Sequence, residues 1–343
     1  MIKVAIIGTG MMGQIHADCF KHLRGCKVTA CCDIDLKKSR EFARQFSIDN
    51  YYGAVEDLLQ REELDAVAIV TTNDTHYDIA SECLNRGIPV LCEKPLAQNH
   101  EIASQLAELA EKNKVVNMVN FVHRGSPELH KAAELVQEGE IGRVMHVEAS
   151  YLQSWMTSDY WGDWKETESF LWRLSNSHAG NGVISDFGPT LLDLVSYVAG
   201  DIKHLRTDAR SFNKGVRGNK LQGYNLDSAD SAVISADFAN GAMGAIHMTR
   251  WATGEMNSLR LRVYGDQGGM TLDIEQDGSS LEVCSGENRH KARWKKVKID
   301  KVPSLWQDFC TAVAEKDLTA QPSFKHAAHL QELLETSLNT DNN

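Results

Sequence analysis

The chain has no C-x-x-C pair, no H-E-x-x-H or comparable histidine cluster, and no repeat or low-complexity tract. It also has no apolar run approaching the roughly 18 residues that a membrane span requires. Each absence removes a class of protein. Without paired cysteines there is no redox or zinc-ribbon signature, so the eight cysteines read as small buried thiols in a reducing, cytoplasmic compartment. Without clustered ligands the thirteen histidines make no metal centre, and His326 with His329 reads as one polar helix face. A basic surplus is missing too: 36 Lys and Arg stand against 47 Asp and Glu, a formal charge of −11 that repels nucleic-acid phosphates. The one basic stretch, residues 291 to 301 around Trp294, alternates like a solvated edge strand over 292 to 299, where lysines discourage mispairing. The sequence opens on a strand-like run, and a soluble protein without membrane partners is expected.

What is present is a rhythm. Strand-like runs at residues 2 to 7, 27 to 32, 65 to 70, 88 to 92 and 115 to 120 alternate with helical patterns at 14 to 23, 36 to 46, 54 to 60, 76 to 86 and 99 to 112. That alternation predicts a parallel sheet with helices on both faces. After about residue 120 the rhythm changes. A helix near 126 to 138 leads to a strand at 143 to 153, then to an aromatic loop and strand-like runs near 203 to 213, 229 to 239, 242 to 251, 258 to 265, 269 to 274, 279 to 284 and 292 to 299. Helices near 303 to 316 and 324 to 337 finish the chain. A length of 343 residues suits two domains. The expected division is an α/β domain over 1 to 122 and an α+β domain with a large, mostly antiparallel sheet over 123 to 343.

The first strand-like run, Ile2 to Ile7, feeds directly into Gly8-Thr9-Gly10-Met11-Met12-Gly13 and then a helical stretch. This spacing serves a pyrophosphate: the first glycine turns the chain, the second lets the backbone approach the ligand, and the third lets helix and strand pack closely. Asp33 ends the second strand-like run, 20 residues after Gly13, where its carboxylate can accept from the adenosine ribose hydroxyls and repel a 2′-phosphate. Ile34, Asp35 and Leu36 bring no arginine, which favours NAD, while Lys37 and Lys38 leave NADP open. A further motif, Glu93-Lys94-Pro95, closes the run Ile88 to Cys92, putting a lysine at a strand's carboxyl end, where open parallel sheets bind ligands.

With these motifs, the segment Thr71-Thr72-Asn73-Asp74-Thr75-His76, and Asp186-Phe187-Gly188-Pro189-Thr190-Leu191-Leu192-Asp193, the chain resembles the Gfo/Idh/MocA oxidoreductases over nearly its whole length. The resemblance implies an NAD(P)-dependent dehydrogenase acting on a secondary hydroxyl of a sugar, glycoside or inositol. It also implies assembly as a homodimer or homotetramer through the carboxyl-terminal sheet. Cofactor contacts are implied for Gly8, Thr9, Gly10, Met11, Met12, Gly13, Asp33, Thr71, Asn73, His76, Glu93 and Lys94, and Lys94 also meets the reacting hydroxyl. The family's second motif is D-x-G-x-H-x-x-D. Here Asp186, Gly188 and Asp193 match, and Thr190 stands where the proton-transferring histidine is expected. A threonine hydroxyl does not exchange a proton near neutral pH as imidazole does. Three readings follow: Lys94 is itself the acid/base; His178, Tyr160 or His123 takes over; or ordinary turnover is lost.

Residues 151 to 173 hold Trp155, Tyr160, Trp161, Trp164 and Trp172, so four of the seven tryptophans lie within 18 residues. Such rings suit the apolar faces of pyranoses and cyclitols, and equally suit a packed core. The expected site therefore has Lys94, Asp186 and Thr190 as catalytic residues. Lys94, His123, Arg124, Trp155, Tyr160, Trp172, Asp186 and Thr190 are expected around the substrate, with Lys165 and Arg173 as further cations. Two other functions remain open: a glycosidase that uses NAD for transient oxidation and elimination, and a non-catalytic NAD-binding regulator.

Overall fold

The computed structural model describes residues 1–338. The chain divides into two compact units, Met1–Val122 with Pro303–Glu332, and His123–Val302 with the residues from Leu333 onward. The first unit runs β1 (Ile2–Ile7), α1 (Met11–Lys21), β2 (Cys26–Cys32), α2 (Leu36–Phe46), β3 (Asn50–Tyr52), α3 (Val55–Arg61), β4 (Ala66–Ile69), α4 (His76–Asn85), β5 (Val90–Cys92), α5 (His100–Asn113) and β6 (Asn117–Val119). Its six strands pair in the order β3-β2-β1-β4-β5-β6, all parallel. The reversal between β1 and β4 is the switch point at which open α/β sheets bind ligands. Continuous burial along Val4 to Ile7, Ala66 to Ile69 and Val90 to Cys92 is what a sheet covered on both faces requires. Cys31 and Cys32 are both buried for the same reason.

The first unit also takes back the later helix Leu305–Glu315, which the sequence pattern places in the second domain. Leu305, Trp306 and Phe309 join the cluster of Val4, Ile6, Phe20 and Phe42 over the parallel sheet. Burying each of these large side chains contributes roughly 1.5–3 kcal/mol, which is the physical reason the chain returns. β3 is an element of the first unit that the sequence pattern lacks: three residues, Asn50 to Tyr52, are too few to show a period.

The second unit continues with α6 (Pro127–Gln137), β7 (Val144–Gln153), the short helices α7 (Glu168–Leu171) and α8 (Asn176–Ala179), α9 (Val183–Ala199), β8 (Ile202–Arg210) and the two-residue strands β9 (Lys220–Leu221) and β10 (Tyr224–Asn225). Then come β11 (Ser231–Phe238), β12 (Met243–Thr249), β13 (Met256–Gly265), β14 (Gly268–Glu275), β15 (Gly278–Ser285) and β16 (Lys295–Lys296), after which α10 (Leu305–Glu315) and α11 (Phe324–Ser337) up to Glu332 belong to the first unit. Eight strands form one sheet, β16-β15-β14-β13-β7-β12-β11-β8, antiparallel except where β12 runs parallel to β7. Burial alternates along β11 and β12, so Ile234, Ile246 and Met248 face the core with α9 while Val233, Ala245 and His247 face outward. The basic stretch forms less strand than its alternation suggests. Residues 286 to 291 are a 3-10 helix, and only Lys295–Lys296 pairs with β15. Among the described residues no helix is long and apolar enough to cross a membrane.

Candidate active site

The turn between β1 and α1 is shaped by its glycines in three different ways. Gly8 has φ +103°, and a Cβ there would lie 2.6 Å from the Val70 carbonyl oxygen, so the turn after β1 and the segment after β4 approach as only glycine allows. A Cβ on Gly13 would collide with the Gly8 carbonyl oxygen, which fixes the close packing of α1 on the turn. Gly10 differs: its φ is −68°, and a Cβ would meet nothing within 4 Å. The chain's own packing does not demand glycine there, and a ligand approaching the backbone does. Gly10 also offers no side chain to cap α1, whereas Asp35 caps α2 and Asn99 caps α5. The first-turn N–H groups of α1 are thus of the kind that hold a pyrophosphate. Met11 beside them is 73 % exposed.

Asp33 is tied down from both sides. Its Oδ2 accepts the Thr9 backbone N–H at 3.0 Å and the Thr9 hydroxyl at 2.6 Å, and its Oδ1 accepts the Asp35 N–H at 3.0 Å. Burial raises its pKa, but the Thr9 and Asp35 hydrogen bonds and the Lys38 charge outweigh it and hold the carboxyl below the usual range. The result is a fixed anion with acceptor capacity left on Oδ1, suited to a ribose hydroxyl and hostile to a phosphate.

Beyond β4, His76 is fully buried and faces backbone on both sides. Nδ1 lies 3.1 Å from the Pro95 carbonyl and 3.3 Å from that of Leu96, and Nε2 lies 3.2 Å from the Thr71 carbonyl. Burial lowers its pKa in spite of those carbonyls, so the imidazole is neutral and donates to one side. His76 therefore lies between the segment after β4 and the turn after β5, with both ring nitrogens facing backbone carbonyls and one of them donating. Thr71 Oγ1 accepts from the Thr75 hydroxyl at 2.8 Å, and Asn73 is half-buried in the same turn.

After β5, Glu93 is 7 % exposed. Its Oε1 accepts from His16 Nε2 at 3.0 Å and from Asn120 Nδ2 at 2.6 Å, and its Oε2 accepts the Lys94 backbone N–H at 3.2 Å. Burial pushes its pKa up, and the His16 and Asn120 donors and the Lys94 charge bring it below the ordinary carboxylate value. The Lys94-Pro95 peptide is cis, and Lys94 is half-buried. Asn120 is 2 % exposed, and its Oδ1 has no donor among the described residues. That is an acceptor which a cofactor hydroxyl or amide can satisfy. With Gly10 and Asp33, it means the first unit fits a dinucleotide.

In the second unit Asp186, Thr190 and Asp193 share one face of α9 at spacings of four and three residues. Gly188 has a packing reason of its own, since a Cβ there would stand 2.9 Å from Leu334. Asp186 accepts from Arg250 at 3.1 Å, with Arg173 Nε at 3.8 Å. Arg250 is wholly buried, also donates to the Arg173 carbonyl at 2.9 Å, and lies over Trp155 at 5.0 Å and Phe187 at 5.4 Å. Sequence reasoning missed Arg250, which sits just past the end of β12 with no motif around it. Arg124, expected near substrate, makes a two-pronged pair with Asp193 at 2.9 and 2.8 Å and covers the Tyr197 ring at 3.8 Å. Thr190 is buried at 6 % exposure.

The aromatic segment splits. Trp155 and Trp164 are 3 % and 7 % exposed and form a core with Leu171, Leu174 and Leu226, and Trp155 stacks on Phe170 and donates to Gln153 Oε1 at 2.8 Å. Trp155 is accordingly a core residue rather than an exposed substrate platform. Tyr160 is 66 % exposed, and Trp172 is half-buried beneath the Arg173 guanidinium at 4.3 Å. His178 is exposed and its Nδ1 lies 2.9 Å from Ser177 Oγ and 3.1 Å from Ser175 Oγ, while His123 is half-buried in a 3-10 turn. Among the described residues no group of His, Cys, Asp and Glu is placed to hold a metal ion.

Residues 2–121 match the model of the oxidoreductase family with an NAD-binding Rossmann fold, and residues 129–271 match the Gfo/Idh/MocA carboxyl-terminal domain. The chain belongs to the Gfo/Idh/MocA oxidoreductases. It is 26 % identical over 298 residues to the levoglucosan dehydrogenase of Pseudarthrobacter phenanthrenivorans, covering 80 % of this chain and 74 % of that one. It is 28 % identical over 330 residues to the inositol 2-dehydrogenase/D-chiro-inositol 3-dehydrogenase of Lacticaseibacillus casei, covering 94 % and 87 %. Among solved structures, a levoglucosan dehydrogenase in complex with NADH and levoglucosan superposes with a TM-score of 0.87 at 23 % identity, covering 99 % of this chain and 96 % of that one. An oxidoreductase domain protein from Kribbella flavida gives 0.87 at 26 % identity, covering 99 % and 98 %. As a member of this family the chain is an NAD-binding oxidoreductase whose first unit is the cofactor-binding one.

Proposed function

We propose that this protein is an NAD-dependent dehydrogenase of a secondary hydroxyl on a sugar, glycoside or cyclitol, with Lys94 as the residue that exchanges the hydroxyl proton. The observation that carries the reading is the placement of Lys94 directly after β5, on the carboxyl edge of the sheet that also presents Gly10 and Asp33. NAD, when bound, supplies the hydride acceptor. Gly8 to Gly13 and the start of α1 hold its pyrophosphate, Asp33 takes a ribose hydroxyl and disfavours the 2′-phosphate of NADP, and Asn120 Oδ1 accepts a donor of the cofactor. Lys94 Nζ receives the proton as the carbon of the alcohol loses hydride, so charge is balanced within one step. Asp186, which accepts from Arg250, and Thr190 orient neighbouring hydroxyls. His123, Tyr160 and Trp172 are the other side chains proposed to meet the sugar, and Arg124 acts through Asp193. The substrate class follows the sugar and cyclitol dehydrogenases to which the chain is similar. The outward sheet face, with Val233 61 % and Met243 57 % exposed, is proposed to join copies of the chain into a dimer or tetramer.

The test is reduced-nicotinamide absorbance with NAD across a polyol and sugar panel, comparing the natural chain with Lys94→Ala. Loss of about 10²- to 10⁴-fold in kcat, with NAD binding retained, is expected of a proton-transfer residue. Turnover that survives in Lys94→Ala would move the proton to another group. Sugar release from a glycoside with no net reduced cofactor would point instead to elimination chemistry.

A further inference from the structure

The donors that hold Glu93 form a chain reaching well beyond the cofactor turn. His16, on α1, is fully buried, and its Nδ1 faces the indole N–H of Trp306 on α10 at 3.1 Å. The two rings meet edge to face, with centroids 5.3 Å apart at 84°. An indole nitrogen only donates, so Nδ1 must accept and the proton of the neutral imidazole must sit on Nε2. Nε2 is the atom 3.0 Å from Glu93 Oε1. Trp306 therefore donates to His16, His16 donates to Glu93, and the other Glu93 oxygen takes the backbone N–H of Lys94. Asn120, beyond β6, closes the group by donating to the same oxygen as His16.

We propose that Trp306 and His16 are positioning residues for Lys94, fixing through Glu93 the backbone from which the lysine projects. The inference rests on the assignment of Lys94 to the hydroxyl proton. Three features set this arrangement apart from ordinary core packing. Every member is below 8 % exposure, so each polar atom needs its partner. The indole admits only one tautomer of the imidazole, so the direction of donation is set from α10. The acceptor at the end of the chain also binds the catalytic residue's own N–H. A nonpolar set of equal volume would pack α1 against α10 just as well and leave Glu93 without its inner donor. Trp306 lies 212 positions after Lys94, where no motif draws attention to it.

Trp306→Phe tests the idea, because it keeps an aromatic ring on α10 and removes the N–H, together with the volume of the second fused ring. Three readouts are needed, two of them independent of turnover. Nitrogen NMR of the natural protein should show His16 as the Nε2–H tautomer, and in Trp306→Phe the two tautomers should mix. Acylation of Lys94, followed by mass spectrometry, should change in rate by at least threefold in the variant. With NAD and a polyol substrate, kcat should fall about 10- to 100-fold, the range that misplacement of a reacting group produces, while the NAD dissociation constant stays within about threefold. His16→Gln, which keeps an amide donor for Glu93, should retain at least tenfold more kcat than His16→Leu. A lowered melting temperature with unchanged kcat and unchanged Lys94 acylation would reduce the chain to packing and overturn the proposal. So would finding the Nδ1–H tautomer in the natural protein. If tautomer and acylation respond while no alcohol is ever oxidised, the positioning role stands and the reaction assigned to Lys94 fails. Should Trp306→Phe not fold, the His16→Gln and His16→Leu pair separates positioning from packing in its place: a difference in kcat and Lys94 acylation between them supports the proposal, and equal values overturn it.

Discussion

The buried Arg250 permits the most demanding test of the second unit, through the substitution Arg250→Met. Methionine fills much of the space over Trp155 and Phe187 and removes the charge. Two charge-assisted hydrogen bonds disappear, to Asp186 at 3.1 Å and to the Arg173 carbonyl at 2.9 Å. Removing one partner of a buried ion pair costs about 3–5 kcal/mol, because the other charge is left without compensation. Here the lower end applies, for two structural reasons. The Asp186 side chain is 26 % exposed, so water takes over part of its solvation, and Arg173 Nε lies 3.8 Å away as a second cation. The expected loss is therefore about 3 kcal/mol, which in a folding unit of 150–250 residues lowers the melting temperature by roughly 6–12 °C.

The assay is calorimetry of Arg250→Met, Asp186→Asn and the double variant. If the pair is real, removing both charges should cost less than the sum of the singles by at least about 1 kcal/mol, because neither change then strands a partner. Strict additivity, or an Arg250→Met protein within about 0.5 kcal/mol of the natural chain, as for an ordinary surface substitution, would refute the reasoning. Activity supplies a second reading. Asp186 without Arg250 loses its fixed orientation, so KM for the polyol should rise.

Asp33→Ser should weaken NAD binding by about tenfold, the loss of one charge-assisted hydrogen bond of roughly 1.5 kcal/mol, and relax the preference over NADP; fluorescence titration with both cofactors measures it, and an unchanged ratio would dissociate Asp33 from the ribose. His76 governs a pH effect. Its folded pKa is lowered by burial, so the unfolded chain binds a proton that the folded one refuses, and stability should fall as pH drops below about 6.5, by at most about 1.4 kcal/mol per unit for one group. Denaturant titrations between pH 5 and 7 on the natural chain and His76→Gln should show the shallower slope in the variant; equal slopes would exclude this site. Val233→Arg should shift the sedimentation coefficient toward the monomer if the outward sheet face joins copies, and an unchanged value would place the interface elsewhere.

How much of this was legible in the sequence depended on the range of the interaction concerned. Local periodicity revealed the alternating β/α units and the long strands β7, β11 and β12, because side-chain alternation is written in adjacent residues. It failed for β3, whose three residues span no full pattern, and for residues 292 to 299, where alternating basic residues suggest a longer strand than the two residues, Lys295 and Lys296, that pair. The glycine turn and Asp33 were readable because their spacing is set by a ligand of fixed shape. Trp155 was not, because one tryptophan serves a core or a sugar equally well until Leu171, Leu174 and Leu226 are seen to enclose it. The return of α10 to the first unit was hidden likewise: an amphipathic helix shows which face it buries and says nothing of the sheet that receives it.

Thr190 shows why the missing part matters for chemistry. At the sequence level, the absence of the family histidine suggested either a substitute acid or a lost activity. Two of the three candidate substitutes have a different look in three dimensions. Tyr160 is two-thirds exposed, and His178 is exposed and aligned with two serine hydroxyls, so neither is held in the low-dielectric surroundings that make an acid/base effective. Lys94, by contrast, follows a buried carboxylate whose every donor is fixed by strands and helices of one unit. A reaction that relies on this lysine does not need an imidazole at position 190, only a small polar group there. On that basis Thr190→Val should depress kcat by less than Lys94→Ala does, and Thr190→His should give no large gain.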